Sequence, residues 1–216
     1  MRAVVFDMDG LMFDTERLAM AAWDYAGEKL GVGKAGYMVM KTLGVTAERA
    51  DEIWREEFGA DIDTEAMRRY GREFTGDFYE HNKVPVKPGL YELLGWLKSA
   101  GIKTAVASSS TRRAVDRNLK SAGITDKFNV TVCGEMAARS KPAPDIYLKA
   151  CELLGESPED CIALEDSRNG LWSAHNAGCR VILVPDLWQA DEETEKILWK
   201  KLGSLLEVRN FLRGDE

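Results

Sequence analysis

Asp7 and Asp9 follow directly on the apolar run Ala3-Val4-Val5-Phe6 and precede Gly10. A second acidic pair, Glu165-Asp166, follows the run at 161–164; Ser167 comes next and Gly170 shortly after. Between them lie Ser108-Ser109-Ser110-Thr111, behind the run at 102–107, and Ser140-Lys141-Pro142, beyond the run at 128–133. Carboxylates, hydroxyls and one lysine, each set behind an apolar run, suit phosphoryl transfer. Hard oxygens from Asp7 and Asp166 would hold Mg2+, which prefers oxygen ligands and keeps several waters. The ion would screen an incoming phosphate from the acidic site. Lys141 adds a second cation, and Ser108, Ser109 and neighbouring N–H groups would hold phosphate oxygens. Asp7 could attack phosphorus and form an aspartyl-phosphate. Asp9 could protonate the leaving alcohol and then deprotonate water.

These clusters meet only if the apolar runs are strands of one sheet. An open parallel sheet binds ligands beyond the carboxyl ends of its strands. Five short β-rich runs recur, at 3–6, 102–107, 128–133, 161–164 and 180–184, each followed by a helical pattern. The second follows an amphipathic helix with Leu90, Leu93, Leu94 and Leu97 that ends at Gly101. Ser157-Pro158-Glu159-Asp160, before the fourth, reads as a helix start. Such alternation predicts an α/β fold, a Rossmann-like parallel sheet with helices on both faces.

The first two runs are far apart in sequence, and the intervening stretch is different in kind. All six prolines lie at or beyond Pro85. Leu18, Ala22 and Tyr25 share a helical face, as do Ala50, Ile53, Trp54 and Phe58, and Met67, Tyr70, Phe74 and Phe78. Gly31, Gly33, Gly44 and Gly59 read as helix ends or turns. The expectation is an α/β core of residues 1–14 and 84–216, with a helical cap of about four helices inserted at 15–83. The tail after Pro185 reads as helical, through Ile197, Leu198 and Leu202 and again through Leu205, Leu206 and Phe211.

Composition narrows the function. The 216 residues carry 29 Lys plus Arg against 36 Asp plus Glu, a formal charge of −7, with only two histidines, His81 and His175. An acidic balance argues against nucleic acid, whose binders neutralise phosphates, and two histidines leave little for imidazole chemistry. No apolar stretch approaches the roughly 18–20 residues of a membrane span, and Asp7 and Asp9 fall where a signal-peptide core would lie. Cys133, Cys151, Cys161 and Cys179 form no CxxC pair, so reduced thiols in a cytoplasmic protein are expected. A calcium loop is excluded because Leu11 and Met12 stand at its ligand positions. Singly, the acids could be turn or cap residues, Lys141 a surface lysine, and Trp23, Trp54 and Trp172 packing groups.

Phe6-Asp7-Met8-Asp9-Gly10, Ser108, Lys141-Pro142 and Glu165-Asp166-Ser167 resemble the four ordered motifs of the haloacid dehalogenase superfamily. More narrowly, the chain is similar to the β-phosphoglucomutase-like phosphatases, from residue 1 to about residue 185. The resemblance implies Asp7 as nucleophile and Asp9 as acid/base. It also implies Mg2+ held by Asp7, the Asp9 backbone carbonyl and Asp166, with Glu165 at or next to the metal. Asp9 is absent from the dehalogenating members, so phosphate chemistry is expected. The mutases carry a cap histidine where this chain has Ala19, and a cap arginine where it has Ala47, with Arg49 displaced. Gly44 and Val45 are expected at the substrate-facing turn of the cap. The expected protein is a Mg2+-dependent phosphatase of a small phosphorylated metabolite (a sugar, polyol or nucleoside phosphate). It would be a monomer or small homo-oligomer with no nucleic-acid or membrane partner. A sugar phosphomutase and a non-catalytic sugar-phosphate-binding module are the alternatives.

Overall fold

The computed structural model describes residues 1–42 and 47–215, so Gly44 and Val45 lie outside the described residues. The chain divides into two compact units, Met1–Phe13 with Pro85–Glu216, and Asp14–Val84. In chain order the elements are β1 (Ala3–Phe6), α1 (Thr15–Lys29), α2 (Met38–Thr42), α3 (Ala47–Phe58), α4 (Thr64–His81), α5 (Leu90–Ser99), β2 (Lys103–Ala107) and α6 (Arg112–Ser121). There follow β3 (Val130–Val132), α7 (Asp145–Leu154), β4 (Cys161–Glu165), α8 (Arg168–Ala177), β5 (Arg180–Leu183), α9 (Glu192–Glu195), β6 (Leu198–Lys201) and α10 (Leu205–Arg213).

Among the described residues the larger unit is built on one sheet of order β3-β2-β1-β4-β5-β6, parallel at every pairing. Strand residues alternate between the two faces. Ala3, Val5, Ala105, Ala107, Ala163 and Leu183 pack with Ile146, Tyr147 and Cys151 of α7 and Leu171 and Ala174 of α8. Val4, Phe6, Val106, Ile162, Leu164 and Ile182 alternate with them and are equally buried, on the face that α5 covers with α10 packed beside it. Burial on both faces explains why these strands are continuously apolar.

Two local expectations change. The tail segment through Leu198 is not helical but the sixth strand, paired with β5 through a bulge at Val181/Ile182. There Trp199 lies beneath the Arg180 guanidinium at 4.8 Å, a contact no helical pattern anticipates. Ser157-Pro158-Glu159-Asp160 makes only a single 3-10 turn, without a side-chain cap, and runs into β4. Ser140-Lys141-Pro142, beyond β3, leads into α7.

In the smaller unit α1 and α4 pack along one another. A Cβ on Gly71 would meet the Trp23 ring at 3.0 Å, so glycine lets that indole lie against α4. Trp23 sits edge-on to Trp54 at 5.3 Å, and Ala26, Ala35, Met38, Trp54 and Met67 form a core separate from the sheet. These tryptophans pack rather than project. Among the described residues no helix is long and apolar enough to cross a membrane.

Gly89 caps α5 at φ +87°, and a Cβ there would overlap the backbone nitrogen of Leu206. Gly89→Ala is therefore expected to destabilise by more than about 1 kcal/mol, measured as a lowered denaturation midpoint; an unchanged midpoint would contradict this packing.

Candidate active site

The parallel register decides which side chains meet. Phe6 stands beside Val106 on β2 and Leu164 on β4, and the Asp7 N–H donates to the Leu164 carbonyl at 3.0 Å. Asp7, Ser108 and Glu165 therefore emerge together at one edge of the sheet. Beyond Asp7 the chain turns tightly. The N–H groups of Met12 and Phe13 donate to the Met8 carbonyl at 3.0 and 3.2 Å, and that of Gly10 to Phe13 at 2.9 Å. Met8, Leu11, Met12 and Phe13 are buried and anchor this turn.

Asp9 faces the end of β2. The Ser110 hydroxyl donates to Asp9 Oδ2 at 2.7 Å, and that of Ser108 approaches the same oxygen at 3.5 Å. Ser108 Oγ also accepts from the Ser110 N–H at 3.1 Å. Ser109 is exposed.

Lys141 is the positive centre. Its Nζ donates to Asp7 Oδ1 at 2.5 Å and to Glu165 Oε1 at 2.6 Å. The loop carrying it is tied to α8: the Ser173 hydroxyl donates to the Ala143 carbonyl at 2.6 Å, and Asn176 Nδ2 to that of Pro142 at 3.4 Å. Tyr147, in the first turn of α7, donates its hydroxyl to Glu165 Oε1 at 2.6 Å. Ser167 donates to Glu165 Oε2 at 3.2 Å and accepts from Gly170 N at 3.2 Å, capping α8.

Charge in this cluster is out of balance. Burial pushes the Asp7 carboxyl up to about 8; Lys141 opposes that, while Glu165 and Asp9 add to it. Burial alone would depress Lys141, but the adjoining Asp7 and Glu165 carboxylates outweigh it and hold the ammonium above the usual lysine range. Burial, then Glu165 and Asp7, raise Tyr147 well above an ordinary phenol, so it stays a proton donor. Asp7, Glu165 and Asp166 each bring a carboxylate oxygen within 4.8 Å of the others, all buried. One lysine does not neutralise that set, and burying uncompensated charge is costly.

The sequence profile of the haloacid dehalogenase-like hydrolases matches residues 1–178. The chain belongs to this family. The β-phosphoglucomutase of Bacillus subtilis (strain 168) is 32% identical over 184 residues, 82% of this chain and 80% of that protein. Hexitol phosphatase B of Escherichia coli (strain K12) is 30% identical over 221 residues, 95% and 93% of the two chains. A crystal structure of a CbbY variant from Rhodobacter sphaeroides in complex with xylulose-(1,5)bisphosphate matches at TM-score 0.77 and 31% identity, over 95% of both chains. Family and relatives together make this haloacid dehalogenase-like hydrolase a phosphoric monoester hydrolase.

The donor set of this hydrolase fits a small hard cation. Every group in the cluster is an oxygen donor, with no buried imidazole or thiolate among the three, as Mg2+ prefers. Two glycines leave room for the carboxylates: a Cβ on Gly10, where φ is +82°, would overlap Asp166, and one on Gly170 would overlap Glu165. Asp7, Asp9, Ser108, Lys141, Glu165 and Asp166 all lie at this edge. Ser110, one of the hydroxyls of the run at 108–111, joins them, as does Tyr147, which was not singled out. Ser110 was legible because it stands with Ser108 directly behind the β2 run. Tyr147 was not, since its helix face otherwise holds Ile146, Ala150, Cys151 and Leu154 and reads as plain core.

Gly10→Ala should push Asp166 off the cluster. We expect kcat/KM for p-nitrophenyl phosphate to fall about 100-fold, with the circular dichroism spectrum unchanged; full activity would mean that Asp166 has room to spare.

Proposed function

We propose that the chain is a Mg2+-dependent phosphatase of small phosphomonoesters (a sugar, polyol or nucleoside phosphate) working through an aspartyl-phosphate on Asp7. The observation that supports this best is the division of partners between the two aspartates: Lys141 beside Asp7, and the Ser110 hydroxyl on Asp9. Asp7, the Asp9 backbone carbonyl and Asp166 would hold Mg2+, with Glu165 beside them. When bound, the ion supplies positive charge that screens the phosphate dianion and stabilises charge on the transferring group.

In the first half-reaction Asp7 attacks phosphorus, the bond from phosphorus to the substrate oxygen breaks, and Asp9 gives that oxygen its proton. In the second, Asp9 takes a proton from water, whose oxygen attacks phosphorus and restores the Asp7 carboxylate. Lys141 holds a phosphoryl oxygen through both halves, and Ser108 with adjacent N–H groups would hold another. Ser109, being exposed, is a weaker candidate for that role than Ser108. Substrate choice is assigned to the helical unit. Four free, buried cysteines fit a reducing compartment, the cytoplasm.

A mutase is the second reading, because one relative bears that name. Ala19 disfavours it: this chain lacks the histidine that the mutases place there, and a mutase must retain and turn a bisphosphate where a phosphatase releases product to water. A phosphomonoester panel with and without Mg2+, read by phosphate release, separates them. Conversion of a sugar 1-phosphate to its 6-phosphate, stimulated by a bisphosphate, would favour the mutase.

Two outcomes test the chemistry. Asp7→Asn is expected to lower turnover by roughly three orders of magnitude or more with the fold intact; near-normal hydrolysis would remove Asp7 from its role. Mg2+ at about a hundred times its dissociation constant stabilises by about 2.7 kcal/mol, a rise in Tm of roughly 5–10 °C for a chain of this length. That rise should vanish in Asp166→Asn, and its persistence would place the ion elsewhere.

A further inference from the structure

Among the described residues, Tyr147 is the one buried hydroxyl in the carboxylate cluster that the proposed chemistry leaves without a task. It is fully buried, on a helix face whose other members are Ile146, Ala150, Cys151 and Leu154. Phenylalanine would fill the same space, so packing alone does not account for the hydroxyl. Its hydroxyl donates to Glu165 Oε1 at 2.6 Å, and the Lys141 ammonium donates to that same carboxylate oxygen at 2.6 Å. Lys141 Nζ also stands over the Tyr147 ring, 5.2 Å from its centre. One side chain thus touches Lys141 with its ring and Lys141's acceptor with its hydroxyl.

Glu165 itself cannot move to compensate. Ser167 donates to its other oxygen at 3.2 Å, and Gly170 lies so close that any Cβ there would overlap the carboxylate. Three donors therefore converge on a carboxylate that is 0% exposed. A carboxylate oxygen shared by two donors binds each less strongly than it would bind one alone. Without the Tyr147 hydroxyl, Glu165 Oε1 would have the ammonium as its sole donor and would draw it away from Asp7.

We propose that Tyr147 is a positioning residue for phosphoryl transfer: by hydrogen bonding Glu165 it holds the Lys141 ammonium between Glu165 and Asp7, where a phosphoryl oxygen would meet it. Glu165, in this assignment, serves Lys141 more than it serves the ion. The inference rests on the phosphatase reading above and deepens it.

Tyr147→Phe keeps the ring under the ammonium and deletes only the hydroxyl. In the Mg2+-loaded protein, orthovanadate binding measured by calorimetry should weaken about tenfold, the scale of one hydrogen bond to a charged group. The kcat should fall by a similar factor with KM little changed, and Mg2+ affinity titrated without substrate should stay as in the wild type. In a Glu165→Gln background, Tyr147→Phe should weaken vanadate binding no further, because the effect travels through Glu165. Site-specific 3-fluorotyrosine at position 147 retains the donor and should restore near-normal values.

A lowered Tm with vanadate affinity and kcat unchanged would reduce Tyr147 to packing and overturn the proposal. So would a parallel loss of Mg2+ affinity, which would tie Tyr147 to the ion, or a full further loss in the Glu165→Gln background. Failure of the underlying reading has a separate signature: wild-type protein that releases no phosphate from any monoester and binds vanadate equally with and without Mg2+.

Discussion

The site is organised by one ammonium group among four carboxylates. Lys141 reaches Asp7 and Glu165 at once, with Asp166 beside them and Asp9 across the loop. A buried ion pair is tolerable when geometry is good and the remaining donors and acceptors are satisfied, and it is costly when charge is left over. Here charge is left over, and it is negative. That residue of charge makes the cluster a poor structural element but a suitable cradle for a divalent ion followed by a phosphate dianion. The rise of Asp7 under burial and its acidic neighbours expresses the same imbalance at the atom proposed to attack.

Holding such a cluster together demands a rigid frame. The sheet provides it through register: Asp7 continues the ladder from β1 onto Leu164, while Glu165 closes β4 and its carbonyl accepts from Val184 at 2.8 Å. Lys141 lies outside any helix or strand, and α8 supplies the missing constraint through Ser173 and Asn176. The same helix begins at Ser167, which binds Glu165. One helix therefore fixes both the lysine loop and its acidic partner, so a shift of α8 would move both together rather than apart.

Much of this was readable in the residues, and the reason is periodicity. Continuously apolar runs such as Ala3–Phe6 mark strands buried on both faces, and a chemical residue placed just after such a run has few positions it can occupy. Asp7, Glu165 and Asp166 were visible for that reason, as was the proline-free helical insertion. The sixth strand was not: Leu198-Trp199-Lys200-Lys201 is short, lies at the sheet edge and is mostly exposed, so it carries no alternating signal. Its identity comes from pairing with β5 and from Trp199 meeting Arg180, which are tertiary facts. Tyr147 was hidden for the opposite reason, since its pattern is that of an ordinary core position and only the direction of one O–H bond distinguishes it.

Asp7 and Asp9, two positions apart, show how environment rather than residue type would separate the proposed roles. Asp7 faces Lys141, whose charge opposes the upward push of burial and of the neighbouring carboxylates and so favours the anion that the proposed nucleophile must present. Asp9 instead has the Ser110 hydroxyl at hydrogen-bond distance, with that of Ser108 near the same oxygen. The turn closed by Gly10 is what allows this: had the backbone continued extended, side chains two apart would have pointed the same way, and both aspartates would have competed for Lys141. The proposed chemistry asks for no histidine, because Asp9 would carry the proton in both half-reactions.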